Sequence, residues 1–397
     1  MEQIIERPNI FLAEQKNITD NKKSEIKSEN QIKKELAYLS EFDEMFQEKM
    51  EELAQKEKEY SLQELRAVTF LANKYIKEHN EQLGVNSYDF PIENIMWMNN
   101  DNKNKNLFSS QTVGNYNDFE QKIEIKRFAD VPRLEIIIHE LIHFQSSAKN
   151  QKNVADFSKR ISRIGFNSFW LFPHREGEGK IKNVLSGLDE AITEKISDEI
   201  YQQKKDFLLS DLQKDYSEIE KISDEISMQI KNLRLAKINL MNKVGEKVWL
   251  EYVKEDQDVL NDYHKFGGFE GVKKYYYEYT VKDFSENKNN FVGNSYLGDK
   301  KDKTSYFEEI KVLDFILDKL AQNSLKNKNI SFEEVKKEEW QNLQKAFFAG
   351  NTLYLKKIES VLGRGFLREF DKIVNEKKEN NEAEYYKKIS EFLNKIN

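Results

Sequence analysis

From Ile32 onward the apolar residues Leu36, Leu39, Phe42, Phe46, Met50 and Leu53 recur at steps of three and four, the period of an amphipathic helix. The pattern predicts a helix that ends near Tyr60. Ser61, with Glu64 three residues later, has the form of a capping box and opens a second helix carrying Leu65, Val68, Leu71 and Tyr75. Residues 1–30 are polar and unpatterned and are expected to form a poorly ordered tail before the N-terminal helices of residues 31–84.

After Gly84 the period changes. Ile92–Met98 and Leu107–Val113 read as extended, and Lys122-Ile123-Glu124-Ile125-Lys126 alternates strictly, as a half-buried strand does. Asp130 then offers a helix N-cap, with Pro132 near the first turn. From Leu134 to Phe144 every residue is apolar except Glu135, His139, Glu140 and His143. Such a helix is expected to be buried on nearly all sides.

Residues 151–187 read as irregular, broken by Gly165, Pro173, Gly177, Gly179 and Gly187. A helix with the stripe Leu188, Ile192, Ile196 and Ile200 follows. No Pro or Gly interrupts positions 188–244, and Leu212, Ile219, Ile222, Ile226, Ile230 and Leu233 continue the rhythm. A long helix or a helical hairpin of coiled-coil type is expected there, serving as scaffold or partner-docking arm. Residues 265–303 hold Gly267, Gly268, Gly271, the aromatic run Tyr275-Tyr276-Tyr277 and the polar stretch Asn287–Asn290. Helices then resume from about Tyr306 to Ala321 and after a second capping box, Ser331 with Glu334. The fold class read from these patterns is α+β and mainly helical. Residues 85–200 form a core with one modest sheet, 201–264 a long helical or coiled-coil segment, and 265–397 a helical C-terminal region that completes the cleft.

Composition narrows the chemistry. The 397 residues are 38% hydrophobic and 34% charged, enough apolar material for a sizeable core. The net charge of −7 argues against nucleic-acid binding, which needs basic surface. The basic residues of Asn102-Lys103-Asn104-Lys105 are interleaved with Asn and read as a solvated loop. No stretch is long and apolar enough to span a bilayer, and MEQIIERPNI is too interrupted for a signal-peptide core. The expected location is therefore the cytoplasm. With no cysteine, disulfides and thiolate metal sites are both excluded. Any metal must be held by carboxylates and by the five histidines, His79, His139, His143, His174 and His264.

Two of those histidines form the motif His139-Glu140-Leu141-Ile142-His143. Imidazoles at i and i+4 project from one helix face and can share one cation. Glu140 lies about 100° round the helix from His139, so it can face a water on the metal without being a ligand. Zinc acidifies such a water, and Glu140 can take its proton and pass it to the leaving amine. A third protein ligand leaves the fourth position open. Two candidates stand out: Glu190, 47 residues on (190 − 143), and His174, 31 residues on (174 − 143). An ordinary solvated helix face would also place acids where Glu190 and Glu194 fall.

HExxH followed by Asp189-Glu190-Ala191-Ile192-Thr193-Glu194 resembles the gluzincins, the thermolysin-like clan of zinc peptidases, over about residues 88–200. Asp189 stands where that segment usually carries Asn, and the spacing is longer than in thermolysin itself. The resemblance implies a zincin-like core and one Zn²⁺ per chain held by His139, His143 and Glu190. It also implies that Glu194 accepts a hydrogen bond from the non-liganding nitrogen of a zinc-bound histidine. Gluzincins further use a downstream Tyr or His to stabilise the oxyanion. Tyr306, opening a helix in SYFEEIKVLDFIL, is the preferred residue, with Tyr276 and His264 competing. Peptides or proteins would be the substrate, and the strand Lys122–Lys126 could pair with a substrate backbone. A different class of reading keeps the zincin-like core as a non-catalytic scaffold, with the helical insert mediating self-association or partner binding. GxxxxGK[ST], GxGxxG and GxSxG are absent from the sequence.

Overall fold

The structure, a computed structural model, describes residues 28–98, 113–117, 120–126, 133–147, 161–172, 180–278, 306–326, 330–376 and 382–396. Among them the protein is mainly helical, with two small three-stranded sheets. The tail expected over residues 1–30 falls outside the described residues except for its last three. So do Leu107 to Thr112, the basic loop at 102–105, Asp130, Pro132, His174 and the polar stretch 287–290.

The first element, α1, runs unbroken over Glu29–Leu83. The expected break at Ser61 does not occur. Leu53, Tyr60, Leu65 and Val68 all lie on buried positions and Ser61 is itself buried, so the apolar stripe carries through. With neither Gly nor Pro nearby, nothing stops the helix, and a capping signature alone does not.

Strands β1 (Ile95–Trp97), β2 (Gly114–Asn117) and β3 (Lys122–Ile125) form the first sheet in the order β1-β3-β2. β3 shows the expected alternation, with Ile123 and Ile125 buried. It runs parallel to β1 and antiparallel to β2. Because β3 is paired on both sides, it has no free edge to offer a peptide, contrary to the sequence expectation. Among the described residues the edges belong to β1 and β2.

Helix α2 (Arg133–Ser147) packs on β2 and β3 and is buried almost all round. Gln145 ties it to α1 and to the strand approach. Its amide donates to Asn73 Oδ1 (3.1 Å) and to the Tyr88 carbonyl (2.6 Å), and its Oε1 accepts the Tyr88 N–H (2.8 Å). The stretch read as irregular, 151–187, contains the second sheet. Its strands are β4 (Ile161–Ile164), β5 (Asn167–Phe172) and β6 (Lys180–Val184), all antiparallel and in sequence order. The glycine read there as a breaker, Gly165, makes the tight β4–β5 turn at φ +54°, a conformation that suits a residue without Cβ.

Helix α3 then runs from Ser186 to Val244 as a single helix rather than a hairpin. The Ser197 hydroxyl donates to the Glu135 carbonyl at 3.0 Å and pins α3 across α2. Two compact units follow from the packing. One comprises, of the described residues, 62–217 and 306–396. It holds both sheets, α2, and the helices α7 (Phe307–Leu325), α8 (Phe332–Phe348), α9 (Leu353–Leu362), α10 (Phe366–Glu376) and α11 (Glu382–Asn394). The Ser331/Glu334 capping box opens α8 as expected.

The other unit comprises residues 28–61 and 218–278 and is wholly helical. Here α4 (Glu246–Val253), α5 (Gln257–Lys265) and a helix α6 over 269–278 join the adjoining parts of α1 and α3. Leu39, Leu240, Met241, Val244, Val248, Trp249, Phe269 and Val272 form its core. Lys237 reaches Asp43 at 3.1 Å across the helix pair. Of the coil-like stripe of α3, Leu212 and Ile226 are buried and Ile222 is exposed. Among the described residues, no helix is long and apolar enough to cross a membrane.

Candidate metal centre

The two imidazoles leave α2 one turn apart, with ring centroids 4.9 Å from each other. Their Nε2 atoms are 3.2 Å apart. The first turns of α3, held across α2, deliver Glu190 against both. Its Oε2 lies 3.2 Å from His139 Nε2 and 3.4 Å from His143 Nε2. The three side chains form a group able to hold a metal ion, with ligand atoms all within 4.8 Å.

The donor triangle has a size that can be checked. Zinc binds His N and carboxylate O at about 2.0–2.1 Å, and tetrahedral geometry then separates neighbouring ligands by roughly 3.3 Å. Edges of 3.2, 3.2 and 3.4 Å agree with that separation. Two nitrogens and one carboxylate oxygen, without thiolate, also match the His₂Glu donor set of open catalytic zinc sites. The residues fit the ion.

Without a cation the same triangle must hold protons. Burial disfavours a charged imidazole at His139, but the carboxylates of Glu190 and Glu194 outweigh it and hold its pKa well above the ordinary value. At His143 burial is likewise outweighed, chiefly by Glu190, and the pKa is raised. Burial would push the Glu190 carboxyl up, yet the two imidazoles draw it far below the usual carboxylate range.

Around this triangle the supporting residues are specific. His139 Nδ1 donates to Glu194 Oε2 at 3.0 Å, so that in the neutral ring the lone pair falls on Nε2, which faces the triangle. The structure thus brings Glu194 against His139, on the ring nitrogen turned away from Glu190. Asp189, only 1% exposed, places Oδ2 3.6 Å from His143 Nδ1 while its Oδ1 accepts the Phe166 N–H at 2.8 Å.

Glu140 is buried on the side of α2 that meets β2. Its carboxylate accepts a hydrogen bond from the Tyr116 backbone N–H, and burial pushes its pKa up against the pull of both imidazoles. It approaches β2 so closely that a Cβ on Gly114 would stand 2.6 Å from Glu140 Oε1.

Tyr306 sits at the N-cap of α7. Its ring stacks on His139, with centroids 6.1 Å apart and planes 11° from parallel. The negative charge of Glu190, followed by burial, holds its phenol well above the ordinary pKa, so it stays a neutral donor. Of its competitors, His264 is exposed on α5 with its ring against Tyr263, and Tyr276 packs on the core of the helical unit. The alternative ligand His174 lies outside the described residues. His79 is engaged elsewhere, with Nε2 2.8 Å from Gln344 Oε1.

Three participants were not singled out in the sequence: Asp189 as a partner of His143, and Gly114 and Tyr116 beside Glu140. The acid next to Glu190 was a visible signal for the first. The other two carried none, because closeness to Glu140 arises from sheet order. No protein-family model matches the chain, and no curated protein or solved structure matches it either.

Proposed function

We propose that the chain is a zinc-dependent peptidase of the gluzincin type, with a zincin-like core formed by α2, the first turns of α3 and the β1-β3-β2 sheet. The observation that carries the reading is the His139–His143–Glu190 triangle with a buried glutamate, Glu140, between the two histidines in sequence. A bound zinc ion would supply Lewis acidity, polarising a substrate carbonyl and acidifying a water molecule.

The rest of the chemistry falls to side chains. Glu140, with its pKa raised by burial, takes a proton from the attacking water and returns it to the leaving amine. Its hydrogen bond from the Tyr116 N–H fixes the carboxylate for that exchange. Tyr306 donates its phenolic proton to the oxyanion that develops on the substrate carbonyl. Glu194 holds the His139 tautomer that directs Nε2 at the metal.

The edge strand β2 is the surface on which we place the substrate backbone. Lys126 N–H donates to the Val113 carbonyl (2.8 Å), so residues 113, 115 and 117 aim their main-chain groups at β3. Gly114 and Tyr116 then aim theirs away from β3, the Tyr116 N–H at the Glu140 carboxylate and the remaining groups at the substrate. An extended peptide adding to this edge would lie beside Glu140, where bonds are to be cut.

The test is cleavage of a mixed peptide library, read by mass spectrometry, with zinc-loaded wild type and Glu140→Gln. The reading expects cuts by wild type and none by a variant that still carries zinc. Hydrolysis of equal rate by both proteins rules out the assigned base.

A further inference from the structure

We propose that Asp371, on the C-terminal helix α10, is a positioning residue for Glu190, and that it acts by holding Leu185 in a backbone conformation that a leucine would otherwise leave. This rests on the zinc reading of the site. Leu185 is the joint between β6 and α3, and its carbonyl accepts the Asp189 N–H (3.0 Å) in the first turn of α3. Its φ is +65°, in the left-handed region where a side chain crowds its own backbone. The residue that starts a helix ordinarily has extended backbone, so this conformation has to be imposed from outside.

Helix α10 imposes it. The Leu185 N–H donates to Asp371 Oδ1 at 2.6 Å, a bond strengthened by the charge of the acceptor. Val374 closes on Gly187 so tightly that a Cβ there would lie 2.6 Å from Val374 Cγ2. Asp371 and Val374 are three residues apart on one helix and so share a face. That face meets the start of α3 at residues 185 and 187.

The clamp is itself fixed. Glu359 of α9 accepts the N–H groups of Gly365 (2.5 Å) and Leu367 (2.8 Å) at the start of α10. Phe366 and Phe370 meet the Phe392 ring of α11 at centroid distances of 5.0 and 6.3 Å. On α3, Glu190 stands between two points of attachment. The Ser197 hydroxyl on the Glu135 carbonyl holds the helix beyond it, and Asp371 on Leu185 holds the helix before it. Glu190 Oε2 must meet both imidazoles, at 3.2 and 3.4 Å. Relaxation of Leu185 to negative φ would bring the chain into α3 from another direction and draw that carboxylate out of the triangle. The C-terminal helices thus act on the metal centre through one turn.

The experiment compares full-length wild type, Asp371→Ala, and the double variant Asp371→Ala with Leu185→Gly. Fold is read by circular dichroism and thermal melting without metal, zinc affinity by competition with a chromophoric chelator, and ligand geometry by the visible spectrum of the cobalt(II)-substituted protein. The proposal expects Asp371→Ala to keep its metal-free fold, bind zinc at least about tenfold more weakly and shift the cobalt spectrum. Glycine takes a positive φ without steric cost, so the double variant should return the spectrum and most of the affinity to wild type. Wild-type affinity and spectrum in Asp371→Ala overturn the proposal while leaving the zinc reading intact. A double variant no better than Asp371→Ala, in spectrum or in folding, also overturns it, because the lost carboxylate then matters for something other than the Leu185 backbone. If wild type itself binds no zinc, both readings fall together.

Discussion

Gly114 and Glu140 are in such close approach that a side chain at 114 must push its neighbours aside: an added Cβ would lie 2.6 Å from Glu140 Oε1 and 2.6 Å from Ile136 Cγ2. The strand therefore sets how far the Glu140 carboxylate can turn, and Tyr116 N–H holds it there. Gly114→Ala should displace that carboxylate and leave His139, His143 and Glu190, none of which a Cβ at 114 would meet, in place. The expected result is a fall in kcat of tenfold or more with unchanged zinc content, and a stability loss of about 1–3 kcal/mol from overpacking. Wild-type kcat in this variant would show that the position of Glu140 is not set by β2.

Tyr306→Phe removes the phenolic donor but keeps the ring that stacks on His139. If the hydroxyl serves the oxyanion, kcat should fall by about 10²–10³-fold while zinc binding persists. A variant that loses zinc instead would make the hydroxyl a support for Glu190, whose charge it faces.

Protons and a metal ion would compete for the same triangle. His139 and His143 both titrate above the ordinary imidazole value, burial being outweighed by the neighbouring carboxylates. Their contribution to the stability of the metal-free protein is complete below the unfolded imidazole pKa of about 6.5 and is lost as pH rises through the folded values. Metal-free protein should therefore melt at progressively lower temperature as pH is raised from 6.5. His79 adds nothing to that trend, because burial lowers its pKa and its stabilisation is lost only as pH falls. Zinc should reverse the trend, since fewer protons compete as pH rises. Calorimetry at pH 7 in two buffers of different ionisation enthalpy should show net proton release on zinc binding. No release would mean the imidazoles are already neutral.

The metal triangle was legible because the histidine pair is local. A spacing of four residues fixes a shared helix face whatever the rest of the chain does. Glu190 and Glu194 were legible only through resemblance, since their own helix pattern fits a solvated face equally well. What brings them against the histidines is the crossing of α3 over α2, set by contacts such as Ser197 with the Glu135 carbonyl. The same crossing buries Asp189.

Sheet order was not legible. The alternation of Lys122–Ile125 announces a half-buried strand but does not say which strands flank it, and it proved to be central. The second sheet was hidden because Gly165, which makes its first turn, reads in sequence as a breaker. The capping box at Ser61 misled for the converse reason. It is a local signal, and the burial of Leu53, Tyr60, Leu65 and Val68 keeps the helix going through it.

The most direct test of the metal centre is the metal content of the purified protein after dialysis against a weak chelator, measured by mass spectrometry on wild type and Glu190→Ala together. The account predicts about one zinc per chain in wild type and loss of it in the variant, because Glu190 Oε2 is the only one of the three ligand atoms that α3 supplies. Equal zinc in both proteins, iron in place of zinc, or no metal in wild type would contradict it.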